Sequence, residues 1–493
     1  MRLVIRVLLF LPASLLTRIR LRIQVSEILG MIHRLFFVIR FYTPFLFIFY
    51  FVSGTFTQNK HADSPNKGSY VVIISIDGFP SEALWDERIP LNAIRSLAES
   101  GVWSQKFVPS TPTVTWPNHT TLITGVYPEK HGVLTNGRYV DTQFGILRDT
   151  NADRDVLTSY PSIYDVAYEA GLITAEINWP VTRNAKTLHF SMPDAPNGID
   201  YTTTQLLQEL VEAGILRDDT DASFRASGII ARDDVWTSAA EHVIVSHRPN
   251  LLLFHLLNVD STHHRYGKGT DAGFTALALA DAQIKRILDA LEYAGIRDRT
   301  SIFIVSDHGF MNITHRVHPN VLLQKHGLIE LDENGFFSDA KVLAISNGGT
   351  AMVFARNRDS MLQDLNLAYS IFSEAEGISH VIRPEEYQEY GLPLPEENAN
   401  MGHLLLNAAD NFSFGNDMSG VNHIEKLNGT EGAHGYLNII PEMETIFIAS
   451  GDGIRKKGEL GRIDIRSLAP TAAAILGLIM LQADGPVLQE IFE

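Results

Sequence analysis

Three runs of consecutive apolar residues dominate the pattern along the chain. Tyr70 to Ile76 reads YVVIISI, Leu251 to Leu257 reads LLLFHLL, and Ser301 to Ser306 reads SIFIVS. Continuous apolar runs of this length suit strands buried on both faces, as in a sheet covered by helices. Between them the apolar positions take up helical spacing. The pattern predicts helices over Ile89 to Ser100, Pro161 to Ala170 and Phe274 to Ala294, each followed by a glycine that stops it. Strands alternating with helices argue for an α/β layered domain with a mainly parallel sheet. Residues 315 to 430 break this rhythm. They hold one short apolar stretch (Ala351 to Ala355), the turn signal Asn347-Gly348-Gly349, and a segment rich in Pro, Glu and Asn around Pro393 to Met401. They read as a smaller α+β insert. Strand character resumes at Glu444 to Ser450, and Ser467 to Leu476 reads as a last helix.

The first 54 residues have a different texture: apolar, with interspersed arginines and almost no acids. From Met31 to Arg40 the chain is basic, Phe41 to Val52 is apolar, and Val52-Ser53-Gly54 offers small residues for cleavage. A polar linker follows, Thr55 to Ser69. This is the layout of a secretory signal, and the apolar run is short for a membrane span, which needs about 20 residues. Residues 1 to 54 are therefore expected to target the chain for export, to the periplasm or the extracellular space. The segment contacts a membrane only if it stays uncleaved as an anchor. Met1 to Gly30 carries its own apolar stretch, Val7 to Leu16, and reads as a mis-assigned upstream start with Met31 as the initiator.

Charge sharpens this division. Removing the nine basic and two acidic residues of positions 1 to 68 from totals of 40 and 57 leaves 31 basic and 55 acidic residues, a net charge of −24 for the remainder. So acidic a body is a poor partner for a nucleic-acid duplex. Action on phosphates then calls for a local positive centre, which bound metal ions supply. The chain contains no cysteine, which excludes disulfides, thiolate metal sites and cysteine nucleophiles.

Each of the three apolar runs ends on an acid, at the edge where α/β folds bind ligands. Asp77 follows the first, Asp260 the second, and Asp307-His308 the third. His264 lies four residues after Asp260, so one helical turn places both on one face. His434 sits in Gly432-Ala433-His434-Gly435-Tyr436, where the glycines allow close backbone packing. Six oxygen and imidazole donors without thiolate suit zinc, or manganese or iron. They are enough for two ions roughly 4 Å apart, which can clamp the attacking and leaving oxygens of a phosphoryl displacement. Taken singly, an Asp-Gly at a strand end is a turn and an Asp-His pair is a surface or core pair. It is the joint occurrence that points to metal. The most specific stretch is Pro112 to Thr121, PTVTWPNHTT. Pro117 fits the first turn of a helix, which puts Thr115 at the helix entrance, where free amides and the dipole favour an anion. The bland alternative is that Thr115 caps the helix.

This stretch, with Thr124-Gly125-Val126-Tyr127-Pro128-Glu129-Lys130-His131-Gly132, resembles the nucleotide pyrophosphatase/phosphodiesterase branch of the alkaline phosphatase superfamily. The likeness runs from Tyr70 to about Ala483. Without cysteines or accessory domains it looks like the compact bacterial form. The resemblance implies an alkaline phosphatase-like three-layer α/β/α sandwich over residues 70 to 493, with the insert at about 315 to 430. It implies Thr115 as nucleophile, and Asn136, in Leu134-Thr135-Asn136-Gly137, as donor to a phosphoryl oxygen. It assigns Asp77, Asp307 and His308 to one zinc ion, bridged by Thr115, and Asp260, His264 and His434 to the other. Trp116, in place of the family's usual Phe, would line the nucleoside or leaving-group pocket or serve packing. His119, His131 and His403 read as structural, and Asn118 as holding the turn. The expected activity is hydrolysis of a small-molecule phosphodiester or nucleotide through a phosphorylated or nucleotidylated threonine. A phosphonoacetate hydrolase or a phosphomonoesterase of the same superfamily is the enzymatic rival. An exported metal-binding module without turnover is the non-enzymatic one.

Overall fold

The computed structural model describes residues 68–143 and 145–492. The N-terminal segment read as a targeting signal, and the linker as far as residue 67, lie outside the described residues. Among those described, no helix is long and apolar enough to cross a membrane.

The strands of the main sheet are β1 (Tyr70–Ile76), β2 (Val102–Val108), β3 (Thr174–Pro180), β4 (Phe190–Asp194), β5 (Leu251–Leu256), β6 (Thr300–Val305) and β7 (Thr445–Gly451). They lie in the order β2-β7-β6-β1-β5-β3-β4, and two short segments, Gly458–Glu459 and Ile463–Asp464, complete a nine-stranded sheet beside β2. The three apolar runs of the sequence are neighbours at its centre. β1 pairs in parallel with β5 (Val71 opposite Leu251) and with β6 (Val71 opposite Ser301). Only β7 among the long strands runs against its neighbours.

The helices used below are α1 (Asn92–Ser100), α2 (Thr115–Thr124), α3 (Thr204–Glu212), α4 (Ile229–His247), α5 (Asn258–Tyr266) and α6 (Asp271–Tyr293). Alternate residues of a strand face opposite sides, and the core divides accordingly. Val72, Ile74 and Ile76 of β1 pack with Leu252 and Phe254 against α1, α3, α4 and α6. Val71 and Ile73 pack with Leu251 and Leu253 against α2 and against the helices Ile163–Glu169 and Leu468–Ile475. This is the three-layer sandwich. Burial of each large aliphatic side chain contributes about 1.5–3 kcal/mol.

Polar caps move the helix starts away from the apolar periodicity. The helix expected from Pro161 begins at Ile163, because Ser162 accepts the Asp165 amide and Asp165 reciprocates in a capping box. The one expected from Phe274 begins three residues earlier, at Asp271, where the Thr270 hydroxyl accepts the Gly273 amide. Between β6 and β7 the chain builds a four-stranded antiparallel sheet from Val342–Ser346, Thr350–Ala355, Leu404–Ala408 and Ile378–Ile382, with the helix Met361–Ser373 beside it. The strand Met311–Val317 pairs with Ile424–Ala433 and so leads the chain back toward the main sheet.

Candidate active site

Parallel neighbours end together, so the carboxyl ends of β1, β5 and β6 bring their following residues to one edge. Asp77 leaves β1 directly, Asp307 and His308 follow β6, and Asp260 and His264 occupy successive turns of α5, which follows β5. His434 arrives from the far side of the insert, and its glycines let it. A Cβ on Gly432 would stand 2.4 Å from the His263 carbonyl oxygen. One on Gly435, whose φ is +87°, would stand 1.8 Å from that of Asn347.

The six predicted ligands converge. His308 Nε2 lies 3.2 Å from Asp77 Oδ1 and 3.2 Å from Asp307 Oδ2. Asp260 Oδ1 lies 3.3 Å from His264 Nε2 and 3.7 Å from His434 Nε2. The two imidazole Nε2 atoms are 3.1 Å apart, and the rings of His308 and His434 stack at 3.6 Å. Donor atoms of Asp260, His264 and His434 form one group within 4.8 Å, and those of Asp77, Asp260 and His308 a second. Asp260 thus stands in both groups, between the two sets that the resemblance separates.

Each of the three converging histidines is oriented from behind. The Nδ1 atoms of His264, His308 and His434 face the carbonyls of Gly432, Gly309 and Thr113 at 3.1, 3.2 and 2.8 Å. Donation from Nδ1 fixes the tautomer and leaves the Nε2 lone pair facing the centre, the arrangement that metal-bound histidines use. Asp77 Oδ1, Asp260 Oδ1, Asp307 Oδ2 and His308 Nε2 are buried with no hydrogen-bond partner. Buried polar atoms are costly to leave unpaired, and these four aim at a common space. Burial, with the charges of Asp260 and Asp194 added, pushes the Asp77 carboxyl well above its usual range, and burial with Asp77 does the same to Asp307. Burial holds His308 neutral and pushes His434 down to about 4. Divalent cations reverse this electrostatic frustration, so the donor set fits metal ions.

Thr115 is the first residue of α2. The cap position is Val114 and carries no side-chain cap bond, so Thr115 does not serve as the cap. The helix entrance offers fewer amides than expected. The Trp116 amide donates to Asn136 Oδ1 at 2.9 Å, and Pro117 has none. The same bond turns Asn136 so that its Nδ2 is the group left to donate. Asn118 holds the approach to the helix: its Oδ1 accepts from the Ser110 amide at 2.7 Å and its Nδ2 donates to Pro112 and Val114 at 3.0 Å. Trp116 is buried against Val133 and Val181, and its indole donates to Asp194 Oδ2 at 3.2 Å. It also lines a cavity of about 630 Å³ with Asp194, Asn197, Asp221 and Arg225.

Two side chains around the centre escaped the sequence reading. His255, inside β5, lies with Nε2 3.1 Å from Asp77 Oδ2. Its signal was a single polar residue within an apolar strand. Asp233 of α4 accepts the Leu257 and Asn258 amides, each at 3.0 Å, and so holds the start of α5. His119, read as structural, is in neither donor group, yet its Nδ1 sits 2.9 Å from the Thr115 carbonyl and 3.5 Å from Asp307 Oδ2. His131 and His403 bond only to their own surroundings, through Thr121 and Val133 and through Ala355.

Comparisons with known proteins agree with this architecture. Murine ectonucleotide pyrophosphatase/phosphodiesterase 5 superposes with a TM-score of 0.65 at 17% identity, covering 86% of this chain and all of that one. An inactive Thr-to-Ala form of the murine protein, in complex with AMP, superposes with a TM-score of 0.66. In sequence, an uncharacterized pyrophosphatase/phosphodiesterase of Schizosaccharomyces pombe is 27% identical over 266 residues, 53% of this chain and 48% of its own length. Family member 7 of Mus musculus is 23% identical over 438 residues, 88% and 87% of the two chains. The match to family member 3 of Bos taurus spans 24% of that protein, so the chain covers half or less of some relatives. The family model described as type I phosphodiesterase / nucleotide pyrophosphatase matches residues 71–437. With that match spanning most of the chain and the same fold beneath it, the protein belongs to the type I phosphodiesterase/nucleotide pyrophosphatase family.

Proposed function

We propose that this chain is an exported hydrolase that cleaves phosphodiester or pyrophosphate bonds in nucleotide-type substrates, with Thr115 as the nucleophile and two metal ions at the sheet edge. The observation that carries the reading is the set of four buried, partnerless polar atoms among six convergent ligands, beside the helix that begins at Thr115. Asp260, His264 and His434 would hold one ion, and Asp77, Asp307 and His308 the other, with Asp260 facing both. Zinc suits these donors best, with manganese or iron as alternatives. Such ions, when bound, lower the pKa of hydroxyl and water and offset phosphoryl charge.

The remaining work falls to the protein. Thr115 presents its hydroxyl oxygen from the first turn of α2. That oxygen attacks phosphorus, the bond to the leaving oxygen breaks, and a phosphorylated or nucleotidylated threonine is left for water to hydrolyse. Asn136, with Oδ1 held by the Trp116 amide, donates from Nδ2 to a phosphoryl oxygen. Trp116, anchored through its indole to Asp194, gives the adjoining cavity an aromatic wall against which a nucleobase can stack. Export rests on the N-terminal sequence of basic, apolar and small residues. The AMP bound to the murine relative supports a nucleotide substrate.

Kinetics test this reading. Zinc-loaded protein is assayed on the nitrophenyl ester of thymidine monophosphate and on nitrophenyl phosphate. Strong preference for the diester is expected. Preference for the monoester overturns it in favour of a phosphatase, and inertness toward both in the metal-loaded protein moves a phosphonate substrate to the front.

A further inference from the structure

Two helices meet at the other end of the sheet from the active site. His247 is the last residue of α4 and leads into the start of β5, whereas the active site gathers beyond the opposite end of that strand. Five residues earlier on α4, His242 reaches toward the same neighbour on α3. Both histidines face Glu209 of α3: His242 Nε2 lies 2.9 Å and His247 Nε2 2.7 Å from the same oxygen, Oε2. The three donor atoms fall within 4.8 Å of one another.

We propose that Glu209, His242 and His247 form a separate site for one divalent transition-metal ion, zinc by its donor chemistry, which ties α3 to α4. Two imidazoles and a carboxylate are a known three-ligand set for zinc, with the fourth tetrahedral position left to water. Here the three side chains keep 16 to 25% exposure, so ion and water both have access. The ligands are also held from behind, as metal ligands are. Gln205, one turn earlier on α3, donates from Nε2 to the second oxygen of Glu209 at 2.9 Å. The ring of Phe190 stacks on His247 at 3.9 Å with the planes 19° apart, which fixes the imidazole. The competing account is a purely hydrogen-bonded cluster in which both rings donate to one carboxylate oxygen. That account requires both rings to donate from Nε2 and assigns no role to the open flank.

Zinc content decides between them. The full chain is loaded with zinc, passed through a desalting column and measured by atomic emission, together with Glu209→Gln and His247→Ala. The proposal expects each variant to hold one zinc per chain fewer than the wild type, with turnover on the diester unchanged. Equal zinc content in wild type and Glu209→Gln overturns it. Glu209→Gln keeps the size of the side chain, so the outcome stands even if His247→Ala, which also loses the Phe190 stack, folds poorly. The readout is a difference between proteins sharing one catalytic centre. It therefore holds whatever number of ions that centre contains, and failure of the catalytic reading leaves it intact.

Discussion

Replacing His255 with phenylalanine keeps a ring beneath the proposed metal centre and removes its two hydrogen-bonding nitrogens. His255 is fully buried, and its ring lies 4.4 Å from that of His119, a packing that phenylalanine preserves. What disappears is the 3.1 Å bond to Asp77 Oδ2 and, on the other side of the ring, the 3.0 Å contact of Nδ1 with the Asn178 carbonyl. Asp77 Oδ1 already lacks a protein partner, so the substitution leaves the whole carboxylate dependent on metal and on His308. A hydrogen bond to a charged group contributes about 1.5–3 kcal/mol. At about 1.4 kcal/mol per decade this is a roughly 10- to 100-fold loss of metal affinity, the range seen when partners behind metal ligands are removed. Competition against a chelator of known affinity reads the loss directly, and kcat/KM on the nitrophenyl diester should fall in step at limiting metal. Unchanged affinity and unchanged kcat/KM in a normally folded variant would refute the argument, because Asp77 would then be positioned without its histidine.

Other perturbations have equally defined outcomes. Asn136→Ala removes the proposed donor to the phosphoryl oxygen and should lower kcat by roughly 100- to 1000-fold, with KM moving much less in steady-state kinetics. Asp233→Ala frees the Leu257 and Asn258 amides; losing this helix-start acceptor should cost about 1 kcal/mol of stability in urea melts and loosen metal binding through α5. In metal-free protein the part of the stability that rests on His131 and His434 should fall on acidification, while the raised carboxyls of Asp77, Asp307, Glu176 and Asp233 act in the opposite direction. Burial lowers His131 to about 3 and His434 to about 4, below the roughly 6.5 of an unfolded histidine. The unfolded chain therefore takes up protons first, so this stability is present above about pH 6.5 and is lost as pH falls through the folded values. Melts of wild type beside His131→Asn over that window isolate the contribution: the stability gap between the two should narrow as pH falls, and a constant gap would contradict it.

Legibility in the sequence followed distance along the chain. The three central strands announced themselves because burial on both faces demands unbroken apolar runs. Asp77 and Asp307-His308 were readable because they follow those runs directly, and Asp260 because it comes three residues after Leu257. His264 was readable from its helical spacing to Asp260. Partnerships across the chain were not readable. Trp116 meets Asp194 over 78 positions, His255 meets Asp77 over 178, and His242 meets Glu209 over 33. No local pattern encodes such pairs, since they depend on how strands order in the sheet. For the same reason the sequence singled out the six converging side chains but not that Asp260 stands between both groups. Helix starts were misplaced where Ser162 and Thr270, polar residues outside the apolar stripe, set the boundary.

The central claim is that Thr115 attacks phosphorus at a metal centre it does not itself assemble. Turnover of the nitrophenyl diester by Thr115→Ala, with metal content measured on the same sample, tests this most directly. The account predicts metal content equal to wild type and turnover reduced to background. Turnover retained in that fully metal-loaded variant would contradict it.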